Sequence, residues 1–182
     1  MTAIVGIVED GEVWMGADSA AIFGDNTSTL KAPKIARNGE MLIGCAGGLR
    51  VLQIVHYVFE PPSHPDGMDA LRYMVGPFVA ELRRCLGENG TLTQKEGKDE
   101  TAPVTHFLIG YRGRLFYMDA DFTVTEPPRG WETSGSGCEV AAGVLHTLQT
   151  HFCTPDVRIR AALNAAADLI WSVSPPFHIE KL

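Results

Sequence analysis

Long apolar runs are missing from this chain: nowhere do about 18 apolar residues follow one another, and no basic segment leads into an apolar stretch near the start. Neither a membrane-spanning helix nor a targeting leader is expected, and the protein reads as soluble and cytoplasmic. Positive charge is also scarce. Fifteen Lys and Arg stand against 22 Asp and Glu, a net charge of −7, with no basic block interleaved with aromatic residues. That excludes the electrostatic footprint of a nucleic-acid binder. Cysteine is sparse as well: Cys45, Cys85, Cys138 and Cys153 show no CxxC and no Cys/His metal spacing, so they read as reduced, mostly buried thiols. What remains is 182 residues, 45% of them hydrophobic, enough for a full core in one domain spanning residues 1–182.

Apolar, β-branched runs at 2–8 and 13–18 flank the polar turn Glu9-Asp10-Gly11-Glu12 and predict a hairpin. A second hairpin is expected where runs at 32–36 and 41–46 flank Arg37-Asn38-Gly39-Glu40. Helical spacing of Leu49, Leu52, Val55, His56 and Phe59 predicts a helix that Pro61-Pro62 ends. Residues 69–86 repeat that spacing, with a kink or interruption expected at Gly76-Pro77. The polar, aperiodic stretch 87–101 reads as an exposed loop. Short strands are then predicted at 104–111, 115–119 and 122–125, and helices at 140–152 and 157–173, the latter opened by Thr154-Pro155. Sheet, helix pair, sheet, helix pair can bury every apolar face if two sheets stack centrally with helices outside.

The opening Met1-Thr2 carries the chemical interest. Once Met1 is removed, Thr2 holds a hydroxyl nucleophile and an α-amine whose ordinary pKa of about 7.7–8.0 suits a general base at neutral pH. The plainer alternative is a start methionine followed by a β-branched residue entering a strand.

Thr2-Ala3-Ile4-Val5-Gly6, Gly16-Ala17-Asp18-Ser19, Lys34, Ile43-Gly44-Cys45-Ala46-Gly47-Gly48 and Gly135-Ser136-Gly137 occur in order along the chain. Together they resemble the N-terminal-nucleophile hydrolases of the proteasome β-subunit and bacterial HslV type, over almost the whole sequence. The resemblance implies an α+β fold, a four-layer α/β/β/α sandwich. It implies a threonine endopeptidase with Thr2 as nucleophile, Lys34 as the nearby positive charge and Asp18 as its orienting carboxylate. Gly47 would then aim a backbone N–H at the developing oxyanion, and Ser136 would hydrogen-bond the α-amine. Each position also has an ordinary reading: an edge-strand lysine, a turn aspartate, a tight strand-to-helix glycine, a turn or N-cap serine.

The chain departs from the family pattern in two places. The acidic residue expected in the last long helix falls at Asn164, with Asp168 one turn on as a substitute carboxylate, and Ala20 replaces an arginine after Asp18-Ser19. The same resemblance places Ala21, Ala32, Ala36, Cys45, Leu49 and Gln53 around a specificity pocket that would favour apolar side chains. It implies no cofactor and no metal, a peptide or unfolded-protein substrate, a ring-shaped homo-oligomer and an ATPase unfoldase partner. Two other functions stay open: a catalytically silent scaffold subunit, and a small-molecule amidase on the same architecture. An intact Met1 would leave Thr2 without a free amine.

Overall fold

A computed structural model of the chain describes residues 2–92, 105–149 and 153–182. Both predicted N-terminal hairpins are present. Strands β1 (Ile4–Glu9) and β2 (Glu12–Ala17) pair antiparallel from Glu9↔Glu12 to Ile4↔Ala17. Asp10 and Gly11, with φ of 53° and 76°, make the left-handed two-residue turn whose twist matches the flanking strands. Strands β3 (Ala20–Phe23) and β4 (Asn26–Thr29), absent from the sequence reading, form a separate hairpin that is buried at Ala20 and Ala21 and exposed along β4. β5 (Ile35–Asn38) and β6 (Met41–Ala46) follow; Asn38 pairs with Met41, so the turn is Gly39-Glu40, one residue beyond the expected Asn-Gly pair.

Helix α1 (Leu49–Tyr57) leaves β6 as predicted. The second helical stretch changes its winding at Gly76-Pro77, where a kink or interruption was expected, and does not end there: α2 (Ala70–Tyr73) passes through a π-helical segment, Met74–Phe78, into α3 (Val79–Glu88). Pro77 has no N–H to donate, and the wider π turn absorbs that loss without ending the helix. Asp69 caps α2, its Oδ1 accepting from the N–H groups of Leu71 (2.9 Å) and Arg72 (3.3 Å). Of the predicted loop, residues 87 and 88 belong to α3, and everything from 93 onward lies outside the described residues.

Strands β7 (His106–Tyr111), β8 (Arg114–Met118) and β9 (Val124–Thr125) form the predicted meander. Helices α4 (Cys138–Leu148) and α5 (Pro155–Leu169) match the predicted pair, α5 ending four residues before the expected Val173. Two further strands had no sequence signal, being short and largely polar: β10 (Trp131–Ser134) and β11 (His178–Lys181).

The strands assemble into a four-stranded sheet, β10-β1-β2-β11, and a five-stranded sheet, β5-β6-β7-β8-β9. Three apolar clusters mark three interlayer zones. Ala3, Val5 and Ile7 of the first sheet pack with Ile159, Leu163 and Ala166 of α5. Ile4, Val13 and Met15 pack between the sheets with Leu42, Leu108 and Leu115. Ile43, Phe107 and Ile109 pack with Val51, Phe78 and Leu82 of the other helices. The result is the α+β, four-layer α/β/β/α sandwich. Successive residues of one strand serve different layers, as the pleat requires. Among the described residues, no helix is long and apolar enough to cross a membrane, and no group of His, Cys, Asp or Glu could hold a metal ion.

Candidate active site

The motif residues are far apart in sequence, yet strand pairing carries them to one end of the sandwich. Thr2 lies two residues before the start of β1, and Ile4 pairs on one side with Ala17, next to Asp18, and on the other with Ser134, two residues before Ser136. Lys34 precedes β5, whose Ile35 pairs with Gly44; Lys34 O accepts from Cys45 N (3.0 Å), and Gly47 follows the end of β6.

Asp18 is fully buried and organises the N-terminal segment. Its Oδ1 accepts from Ala3 N (2.9 Å) and from Lys34 Nζ (2.8 Å), while Oδ2 accepts from Ala20 N (2.9 Å) and Ser174 N (3.4 Å). Ala20 therefore contributes its backbone amide, which needs no arginine side chain. Lys34 is as buried as its partner, with 1% of its surface exposed. Burial lowers its pKa below the ordinary lysine value, and the Asp18 charge and hydrogen bond oppose that shift. An ion pair removed from water in this way is a poor source of net stability, and beside a cleft it marks a candidate functional site.

Thr2 is held by the turn after β10. Its N–H donates to Ser136 Oγ (3.1 Å), and its carbonyl accepts from Gly137 N (3.2 Å) and Ser136 Oγ (3.3 Å). Ser136 Oγ also lies 3.2 Å from Ser172 Oγ, which is buried just past α5. Ser172 was not found from sequence, because an isolated serine in a loop carries no local signal. The expected acidic position does not enter this network: Asn164 and Asp168 are exposed on α5, since Leu163 and Ala166 take the inward-facing positions of that helix.

Gly135 makes the tight fit around Thr2. With φ at +93°, it occupies a conformation that favours glycine, and a Cβ there would lie 2.2 Å from the Thr2 carbonyl oxygen. Gly135→Ala is expected to push Thr2 aside and reduce any Thr2-dependent hydrolysis by about a hundredfold. Turnover measured beside a thermal melt checks this. Wild-type turnover in the variant would show that the position of Thr2 is not critical.

Thr2 opens on a cavity of about 390 Å³. Ala46, Gly47, Gly135 and Ser136 form the wall nearest the backbone of the motif segments. Gly47 lines the cavity beside Thr2, and its φ of 153° lies outside the range most residues adopt. The rest of the wall carries polar groups, from His106, Tyr117, Thr133, Ser134 and Cys138. None of the positions assigned to a specificity pocket lines this cavity. Ala36 and Cys45 belong to the core between the five-stranded sheet and its helices, Leu49 packs against that core, Ala21 is buried in β3, and Ala32 is half-buried. Burial holds the Cys45 thiol far above its ordinary pKa, consistent with a core role. The pleat explains the difference, because Ala46 faces the space between the sheets whereas Cys45 faces the helices.

Solved structures share this fold at low sequence identity. The Thiobacillus denitrificans BPH in complex with epoxomicin is 19% identical, with a TM-score of 0.80, covering 100% of this chain and 98% of that one. HslV from Trypanosoma brucei is 19% identical, with a TM-score of 0.69, covering 100% and 99%. Anbu, described as an ancestral β-subunit, from Yersinia bercovieri is 15% identical, with a TM-score of 0.69, covering 99% and 81%. No family model matches the sequence, and no curated protein does. The chain has the proteasome-like fold of the N-terminal-nucleophile hydrolases.

Proposed function

We propose that this chain is a threonine-type peptidase, one domain over residues 1–182, that uses Thr2 as its nucleophile after Met1 is removed. The observation that supports this most is the buried Lys34–Asp18 pair, bonded through Asp18 to the amide next to Thr2 at the edge of a cavity. A structural role alone gives little reason to keep such a pair in the core.

The free α-amine accepts the Thr2 Oγ proton as Oγ attacks the peptide carbonyl, and the oxyanion forms against the Gly47 N–H. Lys34 favours loss of the Oγ proton and disfavours a second positive charge on the amine, while Ser136 keeps the amine in place. Collapse of the tetrahedral intermediate breaks the C–N bond, and the leaving amine takes the proton from the α-ammonium. Water then attacks the ester, giving a proton to the α-amine, and Thr2 Oγ leaves as a hydroxyl. No metal or cofactor takes part. The substrate is a peptide or unfolded protein in the cytoplasm. The working form is a ring-shaped homo-oligomer served by an ATPase unfoldase.

Intact mass and peptide turnover test the assignment together. The purified protein should have the mass of the chain lacking Met1, cleave fluorogenic peptides, and be inhibited by epoxomicin with the compound located at Thr2 by peptide mapping. A chain that retains Met1 and cleaves nothing would instead be the silent scaffold subunit.

A further inference from the structure

The layer between the two sheets is apolar through Ile4, Val13, Met15, Leu42, Leu108 and Leu115, but it becomes polar at the Thr2 end. Strand parity explains how. His106 lies two residues before Leu108 on β7 and pairs with Ala46 across the sheet, so it shares their face. Tyr117 of β8 pairs with Leu108 and packs against the same inter-sheet cluster. On β10, Ser134 alternates with Trp131, which belongs to the cluster beneath α4 and α5, so Ser134 turns to the inter-sheet side.

Two of these groups satisfy each other. His106 Nδ1 lies 2.8 Å from Tyr117 Oη and 3.0 Å from Asp119 Oδ1. Both contacts fall on Nδ1, which leaves Nε2 as the ring nitrogen open to another group. Ser134 is different: its side chain is 3% exposed, and Oγ has no hydrogen-bond partner among the described residues. A buried hydroxyl left in that state costs free energy that a ligand can recover.

We infer that this cavity selects a neutral carboxamide side chain, glutamine or asparagine, next to the scissile carbonyl, with Ser134 and His106 as the specificity-determining residues. The inference rests on Thr2 being the nucleophile. A carboxamide carries both a carbonyl and an NH₂, so it pairs with Ser134 Oγ and with His106 Nε2 whichever of them donates, and it brings no charge to desolvate. An aliphatic side chain leaves Ser134 unpaired. A carboxylate meets the Asp119 charge, held at His106. An ammonium has no second buried carboxylate on the polar wall to pair with. This selection differs from the apolar preference expected from sequence.

Internally quenched peptides carrying Gln, Leu or Asp on either side of the scissile bond are the substrates for the test. The expected result is kcat/KM about tenfold or more higher for Gln than for Leu or Asp at one of the two positions. That position tells whether the carboxamide lies on the acyl or the leaving-group side. Ser134→Ala and His106→Phe should each bring the Gln/Leu ratio toward one. A wild-type preference for Leu or Asp at both positions, or none, overturns the inference while Thr2-dependent cleavage leaves the peptidase reading standing. Should no peptide be cut, Thr2→Ala protein is titrated with acetyl-glutamine amide and acetyl-leucine amide while the His106 ring resonances are followed by NMR. A saturable shift for the glutamine compound alone, lost in Ser134→Ala, supports the carboxamide site; equal or absent shifts overturn it.

Discussion

Thr2→Ala should abolish peptide hydrolysis, with a loss on the order of 10³-fold or more, because no other group in the cavity replaces a nucleophile that carries its own base. The fold should survive. The Thr2 backbone bonds to Ser136 and Gly137 do not depend on its side chain, and Ser136, Gly137 and Asp18 keep the segment in register through main-chain atoms. Thr2→Ser should retain measurable turnover, since hydroxyl and amine both remain, although loss of the methyl frees the rotamer. A residue that stays attached before Thr2 should be as damaging as alanine, because it converts the amine to an amide that cannot accept a proton. These three outcomes separate a nucleophile from a buried threonine at a strand entrance. Activity in Thr2→Ala equal to the wild type would end the proposal.

Lys34→Met should reduce activity by orders of magnitude and move the residual rate to higher pH. The sign follows from the charge: a positive neighbour disfavours the ammonium form of the α-amine and lowers its pKa, so removing Lys34 raises that pKa and leaves less free base at a given pH. Lys34→Arg should also fail, because a planar guanidinium cannot occupy the compact ammonium position 2.8 Å from Asp18 Oδ1. Loss of the buried partner also leaves the Asp18 charge without its ion pair, so Lys34→Met should melt at a lower temperature. Three backbone N–H bonds to Asp18 remain, from Ala3, Ala20 and Ser174, and should keep the variant folded near neutral pH. Activity–pH profiles of both variants beside thermal melts check the two effects separately. A wild-type profile in Lys34→Met would place Lys34 in the fold alone and favour the silent-subunit reading.

Local chemistry made much of this architecture readable from residues alone. Asp10-Gly11 and Gly39 announce the two hairpins because few residues accept a positive φ, and the helices follow from their apolar spacing and from the Thr154-Pro155 opening of α5. The order of Thr2, Asp18, Lys34, Gly47 and Ser136 was visible too, through the resemblance of the segments around them to the proteasome β-subunit and HslV type. Tertiary structure decided what pairing over long separations decides. β10 and β11 were hidden because short polar strands become strands only when β1 and β2 offer them an edge. That pairing brings Ser134 and Ser136 to Thr2, and the loop after α5 adds Ser172. The side of the strand mattered as much as its presence: Cys45 and Ala46 adjoin in sequence, but a period of two sends one to the helices and the other to the cavity. Asn164 and Asp168 were set aside for the same kind of reason, because the face α5 turns to the sheet is chosen by packing of Ile159, Leu163 and Ala166, which no residue's own chemistry specifies.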